Sequence, residues 1–226
     1  MKSFTEFLCL LFEAKGPNNA KLYKTAFPEQ MSKVDKDKMH AERKVDADFK
    51  KSVQHYVKNP NATAPYEIPS NESERDRKRR EDFHKQLHRA VGKHSDENGI
   101  SSEGSGHIFR GQAHPATPDA TGHITFRKAT SWSTNPAVAN ANAHRNQNEH
   151  STAHHIYMLH HDNATGHRVF STVPKSHAGV GMQKEEEVVS RPGRYKLEKS
   201  EYVGNDVRTG KPVIKHHLTY AGDPVD

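Results

Sequence analysis

The spacing of hydrophobic positions changes once along the chain, near residue 100. Before it, Val45, Phe49, Val53 and Tyr56 or Val57 recur on one helical face and predict a helix over Val45–Lys58. Phe83, Leu87, Ala90 and Val91 predict a second within Glu72–Lys93. Between them, Asn59–Asn71 holds Pro60, Pro65 and Pro69 and reads as a connector. At the start of the chain, Phe4, Phe7, Leu8 and Leu11 make a short amphipathic turn or two. After a Gly/Ser-rich joint at Ser101–Gly106, the apolar runs become short and β-like. Strands are predicted over His107–Gln112, His123–Phe126, Ala129–Ser133, His155–His160, His167–Ser171, Glu186–Val189, Arg194–Val203 and Pro212–Tyr220. Asp162–Gly166 and Thr209–Lys211 read as hairpin-like connections. Asn135-Pro136 supplies an N-cap and first residue for a helix over Ala137–Ala143. Helices followed by strands argue for an α+β fold with a mostly antiparallel sheet. Three segments follow: residues 1–13, a charged helical region over 14–100 and a β-rich core over 101–226, the last two read as one domain.

Composition narrows the chemistry. A single cysteine excludes a disulfide framework and any zinc site built on paired cysteines. Leu, Ile, Val and Phe make up about 17% of the chain, below the roughly 20% at which poor packing becomes a concern. The formal net charge of +6 favours an anionic partner without specifying one. Signs are mixed in the charged opening Glu72–Asp82, which suits a solvated helix face better than a nucleic-acid arm. No apolar run approaches the ~18 residues of a membrane span, so no membrane partner is expected. Adjacent histidines such as His154-His155, His160-His161 and His216-His217 point to opposite faces of a strand and accompany no Cys or carboxylate ligand pattern, so no metal is expected.

Three short motifs in the second half carry candidate chemistry. In Ile108-Phe109-Arg110-Gly111-Gln112, alternation sets Arg110 at a strand end beside a glycine that would let a ligand approach the backbone. A guanidinium fork there suits a pyrophosphate. In Ser131-Trp132-Ser133, the two hydroxyls share one face and Trp132 takes the other. In Glu185-Glu186-Glu187, period two puts Glu185 and Glu187 together and sends Glu186 away; paired carboxylates repel, so one should hold its proton more tightly unless a cation or substrate intervenes.

An arginine, then Ser-x-Ser, then Glu-x-Glu, in that order and separated by 21 and 56 residues, resembles the Arg-Ser-Glu class of mono-ADP-ribosyltransferases. The resemblance covers roughly residues 45–220. It implies a helical N-terminal region before a split pair of mostly antiparallel sheets holding NAD, the substrate, in a cleft. It places Arg110 on the phosphates and Ser131 in support of the nicotinamide ribose, counts Gly111 and Ser133 as further NAD-binding residues, and makes Ser131 also part of the catalytic set. Glu187 is then the catalytic glutamate and Glu185 the upstream acid associated with arginine acceptors. Two departures leave the nicotinamide wall unassigned: Trp132 replaces the usual small middle residue, and no Phe follows on the next helix.

Residues 1–14 carry a second resemblance. Leu11-Phe12-Glu13-Ala14 is similar to the site at which prohead proteases of large tailed bacteriophages trim internal head proteins, and the Met-Lys start with Phe-Leu clusters is similar to their capsid-targeting leaders. Glu6 interrupts the apolar stretch that a secretory signal needs. The combined expectation is a monomeric arginine-directed ADP-ribosyltransferase, packaged with phage DNA in the virion interior and acting on a host protein in the host cytoplasm. Two alternatives stay open: a non-catalytic basic head or DNA-associated protein, and an NAD glycohydrolase on the same fold.

Overall fold

The computed structural model describes residues 17–41, 106–127, 130–145, 147–148, 150–161, 166–167, 169–174 and 186–224, with scattered positions between 45 and 89. The leader at 1–13, the residue Glu185 and most of the helices expected over Val45–Lys58 and Glu72–Lys93 lie outside them. Among the described residues are three helices, α1 (Pro17–Ala26), α2 (Lys33–Met39) and α3 (Pro136–Arg145). The strands are β1 (Gly106–Gln112), β2 (His123–Phe126), β3 (Thr130–Ser133), β4 (His154–His161), β5 (Val169–Ser171), β6 (Glu187–Ser190), β7 (Gly193–Asn205) and β8 (Pro212–Gly222). No helix among the described residues is long and apolar enough to cross a membrane.

The eight strands connect in the order β2-β7-β8-β4-β1-β3-β6-β5. Every neighbouring pair is antiparallel except β4 and β8. In place of two separate sheets there is one continuous order, whose joint between β1 and β3 is the single registered pair Phe109↔Ser133. The turn at Thr209–Lys211 does join two paired strands, β7 and β8, with Gly210 at φ 66°. Asp162–Gly166 does not: β4 sits between β8 and β1, while β5 pairs with β6 at the far edge.

Both faces of the central strands are apolar, because both are covered. On one face, Phe109, Ile156, Met158 and Val213 pack against Tyr23 and Phe27 of the α1 region and Val138 of α3. Tyr23 and Phe27 stand four residues apart, and the Phe27 ring meets Phe109 edge-on at 5.6 Å. Lys215 on β8 donates to the Ala26 carbonyl at 2.8 Å, a cation placed where the α1 dipole is negative. On the other face, Ile108, Ile124, Phe126, Trp132, Tyr157, Leu159 and Tyr195 cluster with Met31 and Met39, which bracket α2.

Helix α3 starts as its sequence dictates. The Asn135 Oδ1 accepts from the Ala137 N–H at 3.0 Å, and Pro136 fills the first helical position, where a missing N–H leaves nothing unsatisfied. Its small residues let it lie very close to β1. A Cβ built on Gly111 would stand 1.6 Å from the Ala139 carbonyl oxygen. That assigns Gly111 to helix packing and not to ligand approach, because the space in front of its backbone is already filled by α3.

Candidate active site

The site is assembled where β1, β3, β6 and the end of β5 adjoin. Arg110 and Ser131 sit on neighbouring strands, and Arg110 Nη1 donates to the Ser131 carbonyl at 2.9 Å. The guanidinium carbon lies 5.3 Å from the centre of the Phe126 ring, a cation–π contact that helps fix its fork. On β3, Ser131 Oγ donates to Glu187 Oε1. Ser133 is in register with Glu187, but its hydroxyl accepts from the Asn135 N–H at 3.1 Å and so serves the strand-to-helix turn. Trp132 points into the apolar layer, as alternation requires, and its indole donates to Ser190 Oγ at 2.9 Å.

Glu187 is the first residue of β6 and is 7% exposed. Thr172, fully buried, donates from Oγ1 to Glu187 Oε2 at 2.7 Å, and its backbone N–H donates to the Glu187 carbonyl at 3.2 Å. Burial pushes the Glu187 carboxyl above its ordinary range, opposed by the hydrogen bonds from Ser131 and Thr172.

The expectation that Glu186 points away is corrected. The strand begins only at Glu187, and Glu186 has φ 46°, a left-handed conformation that breaks the two-residue period. Its carboxylate turns inward, accepting from Lys36 Nζ at 2.8 Å, Thr134 Oγ1 at 3.1 Å and Asn135 Nδ2 at 3.0 Å. Glu185, the partner expected for Glu187, lies outside the described residues.

No protein-family model matches the sequence, and no curated protein matches it. Among solved structures, the enzymatic component C2-I of the C2-toxin from Clostridium botulinum aligns with 93% of this chain at 10% identity and a TM-score of 0.52. The chain shares the C2-I fold. It spans about half of that longer protein, 47% of its length. The ADP-ribosyltransferase Vis from Vibrio splendidus, in complex with agmatine, aligns over 98% of this chain and 87% of its own, at 13% identity and a TM-score of 0.49. A mutant of the eukaryotic mono-ADP-ribosyltransferase ART2.2 in complex with NAD aligns over 98% and 87%, at 18% identity and a TM-score of 0.46.

Within that fold, four site residues escaped the sequence reading: Lys36, His40, Asn135 in its contact with Glu186, and Thr172. His40 follows α2 and bridges the ends of two strands. Its Nδ1 lies 2.7 Å from Ser171 Oγ on β5, and its Nε2 lies 3.1 Å from Thr134 Oγ1 just past β3. Because the Glu186 carboxylate only accepts, Thr134 donates to it and must accept from His40 Nε2–H, which leaves Nδ1 to accept from Ser171. Burial pushes the His40 imidazole down to about 4, in keeping with that neutral tautomer. The signal that could have exposed these residues is weak, since each partner is distant in sequence; His40 and Ser171 are 131 residues apart.

Several other described histidines make close polar contacts. His155 Nδ1 is 2.9 Å from His216 Nε2, His161 Nδ1 is 3.3 Å from His167 Nδ1, and His154 Nδ1 is 2.6 Å from Asn140 Oδ1. Among the described residues, no group of three or more His, Cys, Asp or Glu is placed to hold a metal ion.

Proposed function

We propose that this chain is a mono-ADP-ribosyltransferase that transfers ADP-ribose from NAD to an arginine of a host protein. The observation that carries the reading is the contact of Ser131 with the buried Glu187, reached from neighbouring strands, with Arg110 anchored on the Ser131 carbonyl. The fold shared with C2-I and the Arg, Ser, Glu order of the sequence add support.

The chemistry these residues can perform follows from their types. Breaking the nicotinamide–ribose bond leaves positive charge on the ribose, while the bonding electron pair leaves with nicotinamide, which departs neutral and needs no general acid. Glu187, charged and sheltered from water, stabilises that developing cation, most directly by accepting from the ribose 2′-hydroxyl. Ser131 orients the carboxylate. Arg110 offers a planar fork for the phosphates. An acceptor arginine then forms the new bond to the ribose carbon and gives up one guanidinium proton, the step for which Glu185 is the candidate base.

With labelled NAD and a bacterial lysate, the wild-type protein should release nicotinamide and label protein arginines. Glu187→Gln should lower both by about 10²-fold or more while NAD affinity stays within a few-fold, since the lost interaction is made in the transition state. Near-normal turnover in that variant would move the catalytic role elsewhere. Glu185→Ala should lower arginine labelling far more than nicotinamide release; equal loss of both would remove the division of labour, and release without any labelling would make the protein a glycohydrolase. We read residues 1–13 as a capsid-targeting leader removed after Glu13, on the strength of Leu11-Phe12-Glu13-Ala14. N-terminal sequencing of the protein from virions should then begin at Ala14, and an intact Met1 there would refute the cleavage.

A further inference from the structure

We propose that Thr172 is a positioning residue whose hydroxyl fixes the second oxygen of Glu187 and keeps that carboxylate in its charged form. The inference rests on the transferase reading for its consequence, and on geometry alone for its first step. Each oxygen of Glu187 receives one hydroxyl: Oε1 that of Ser131 from β3, Oε2 that of Thr172 from the end of β5. Among the described residues these are the donors to the carboxylate. Thr172 is locked, not incidental, because its own N–H is tied to the Glu187 carbonyl and it is fully buried.

A carboxylate this far from water takes up a proton unless donors aimed at it make up for lost hydration. The charged and titratable groups on the adjoining elements are engaged with other partners. Arg110 on β1 reaches the Ser131 carbonyl, Lys36 on α2 pairs with Glu186, and the neutral His40 beside α2 bridges Ser171 and Thr134. The two hydroxyls therefore carry the task. Burial raises the Glu187 carboxyl, and both hydroxyl contacts act against that rise. An ionised carboxylate offers about four lone-pair sites, so neither hydroxyl need leave when a ribose hydroxyl arrives. The pair instead sets the plane in which the remaining lone pairs point.

The test follows Glu187 directly and through activity. Its protonation is titrated by the carboxyl stretch in infrared difference spectra, with Glu187→Gln as the blank, in wild type, Thr172→Val and Thr172→Ser. NAD cleavage is measured over the same pH range. In Thr172→Val, the Glu187 transition and the acidic limb of kcat should both rise by about one pH unit, so that kcat falls about tenfold at a pH below the wild-type limb. The KM for NAD should stay within about two-fold, because ground-state binding is not what was removed. Thr172→Ser, which keeps the hydroxyl, should restore both positions. An unmoved Glu187 transition in Thr172→Val overturns the proposal, and so does a shift that Thr172→Ser fails to reverse. Should Thr172→Val not fold, Thr172→Ala gives the same comparison. If the protein cleaves no NAD at all, the transferase reading fails while the infrared titration still decides the part played by Thr172.

Discussion

Mild acid should destabilise this protein well before ordinary carboxylates titrate. His154 and His216 are 0% and 7% exposed, and burial pushes both imidazoles down to about 4. Burial is the main cause in each, opposed at His154 by the Asp206 carboxylate. His216 lies between Ser200 Oγ at 2.7 Å and His155 at 2.9 Å, and His154 sits against Asn140 and, at 3.2 Å, Thr209 Oγ1. In the unfolded chain both protonate near 6.5, so above that pH they are neutral in either state and contribute no pH dependence. Between 6.5 and 4 the unfolded state binds protons that the folded state refuses, and stability falls as pH falls. At pH 5.5 the loss is about 1.4 kcal/mol per residue, and at pH 4.5 about 2.5, or about 5 for the two together. That is a large share of a typical 5–15 kcal/mol. Glu201, held down to about 2 by His217 and its lysine neighbours, titrates below this window, and Glu187 works in the opposite sense because its folded-state carboxyl is raised. Urea denaturation at pH 7, 5.5 and 4.5 should show the midpoint falling at nearly constant m. His216→Gln, which cannot titrate, should remove only its own share, about 2.5 kcal/mol at pH 4.5, because burial also pushes down the imidazoles of His40, His107, His155 and His167. Equal midpoints at pH 7 and 5, or parallel curves for wild type and His216→Gln, would refute the reasoning.

Two further outcomes follow from the backbone around the site. Gly111→Ala should lower urea stability by more than the ~1–3 kcal/mol of ordinary overpacking, because the clash is with the Ala139 carbonyl and α3 itself must move; wild-type stability would deny that contact. At Glu186, both Gly and Ala remove the acceptor of Lys36, Thr134 and Asn135, but Gly should be the milder by about 1 kcal/mol, since φ 46° disfavours any residue with a Cβ. Equal melting temperatures for the two variants would show that the left-handed turn is not maintained.

Local chemistry made the strands and α3 readable. Short alternating runs bounded by Gly, Asn and Pro leave little choice of period, and Asn135-Pro136 marks a helix start without any tertiary help. Arg110, Ser131 and Glu187 could be nominated because they fall on such runs in a telling order. Helices α1 and α2 are not legible in the sequence: α1 offers Leu22, Tyr23 and Ala26 amid polar residues, and α2 holds a single buried side chain, Met39. Their place is decided by what they pack against. Glu186 departs from its two-residue period for the same reason. Its turn is held by Asn135, Thr134 and Lys36, as much as 150 residues away, and no periodicity encodes such partners. Thr172 and His40 are ordinary polar residues until distant strands bring them to the head of β6.

The pairing of β8 has a consequence for how the protein is made. The last of the described strands in sequence, it is inserted between β4 and β7, parallel to the one and antiparallel to the other. Until β8 emerges from the ribosome, β2 and β7 have no hydrogen-bonded route to the rest of the sheet, and β4 presents a raw edge. Before that step, β2-β7 and β4-β1-β3-β6-β5 are two groups of paired strands with no strand pairing between them. Such late, long-range closure makes for slow folding and for an intermediate exposed to aggregation. The strands that carry Arg110, Ser131 and Glu187 adjoin one another without β8, so the candidate site lies wholly on one side of that late junction.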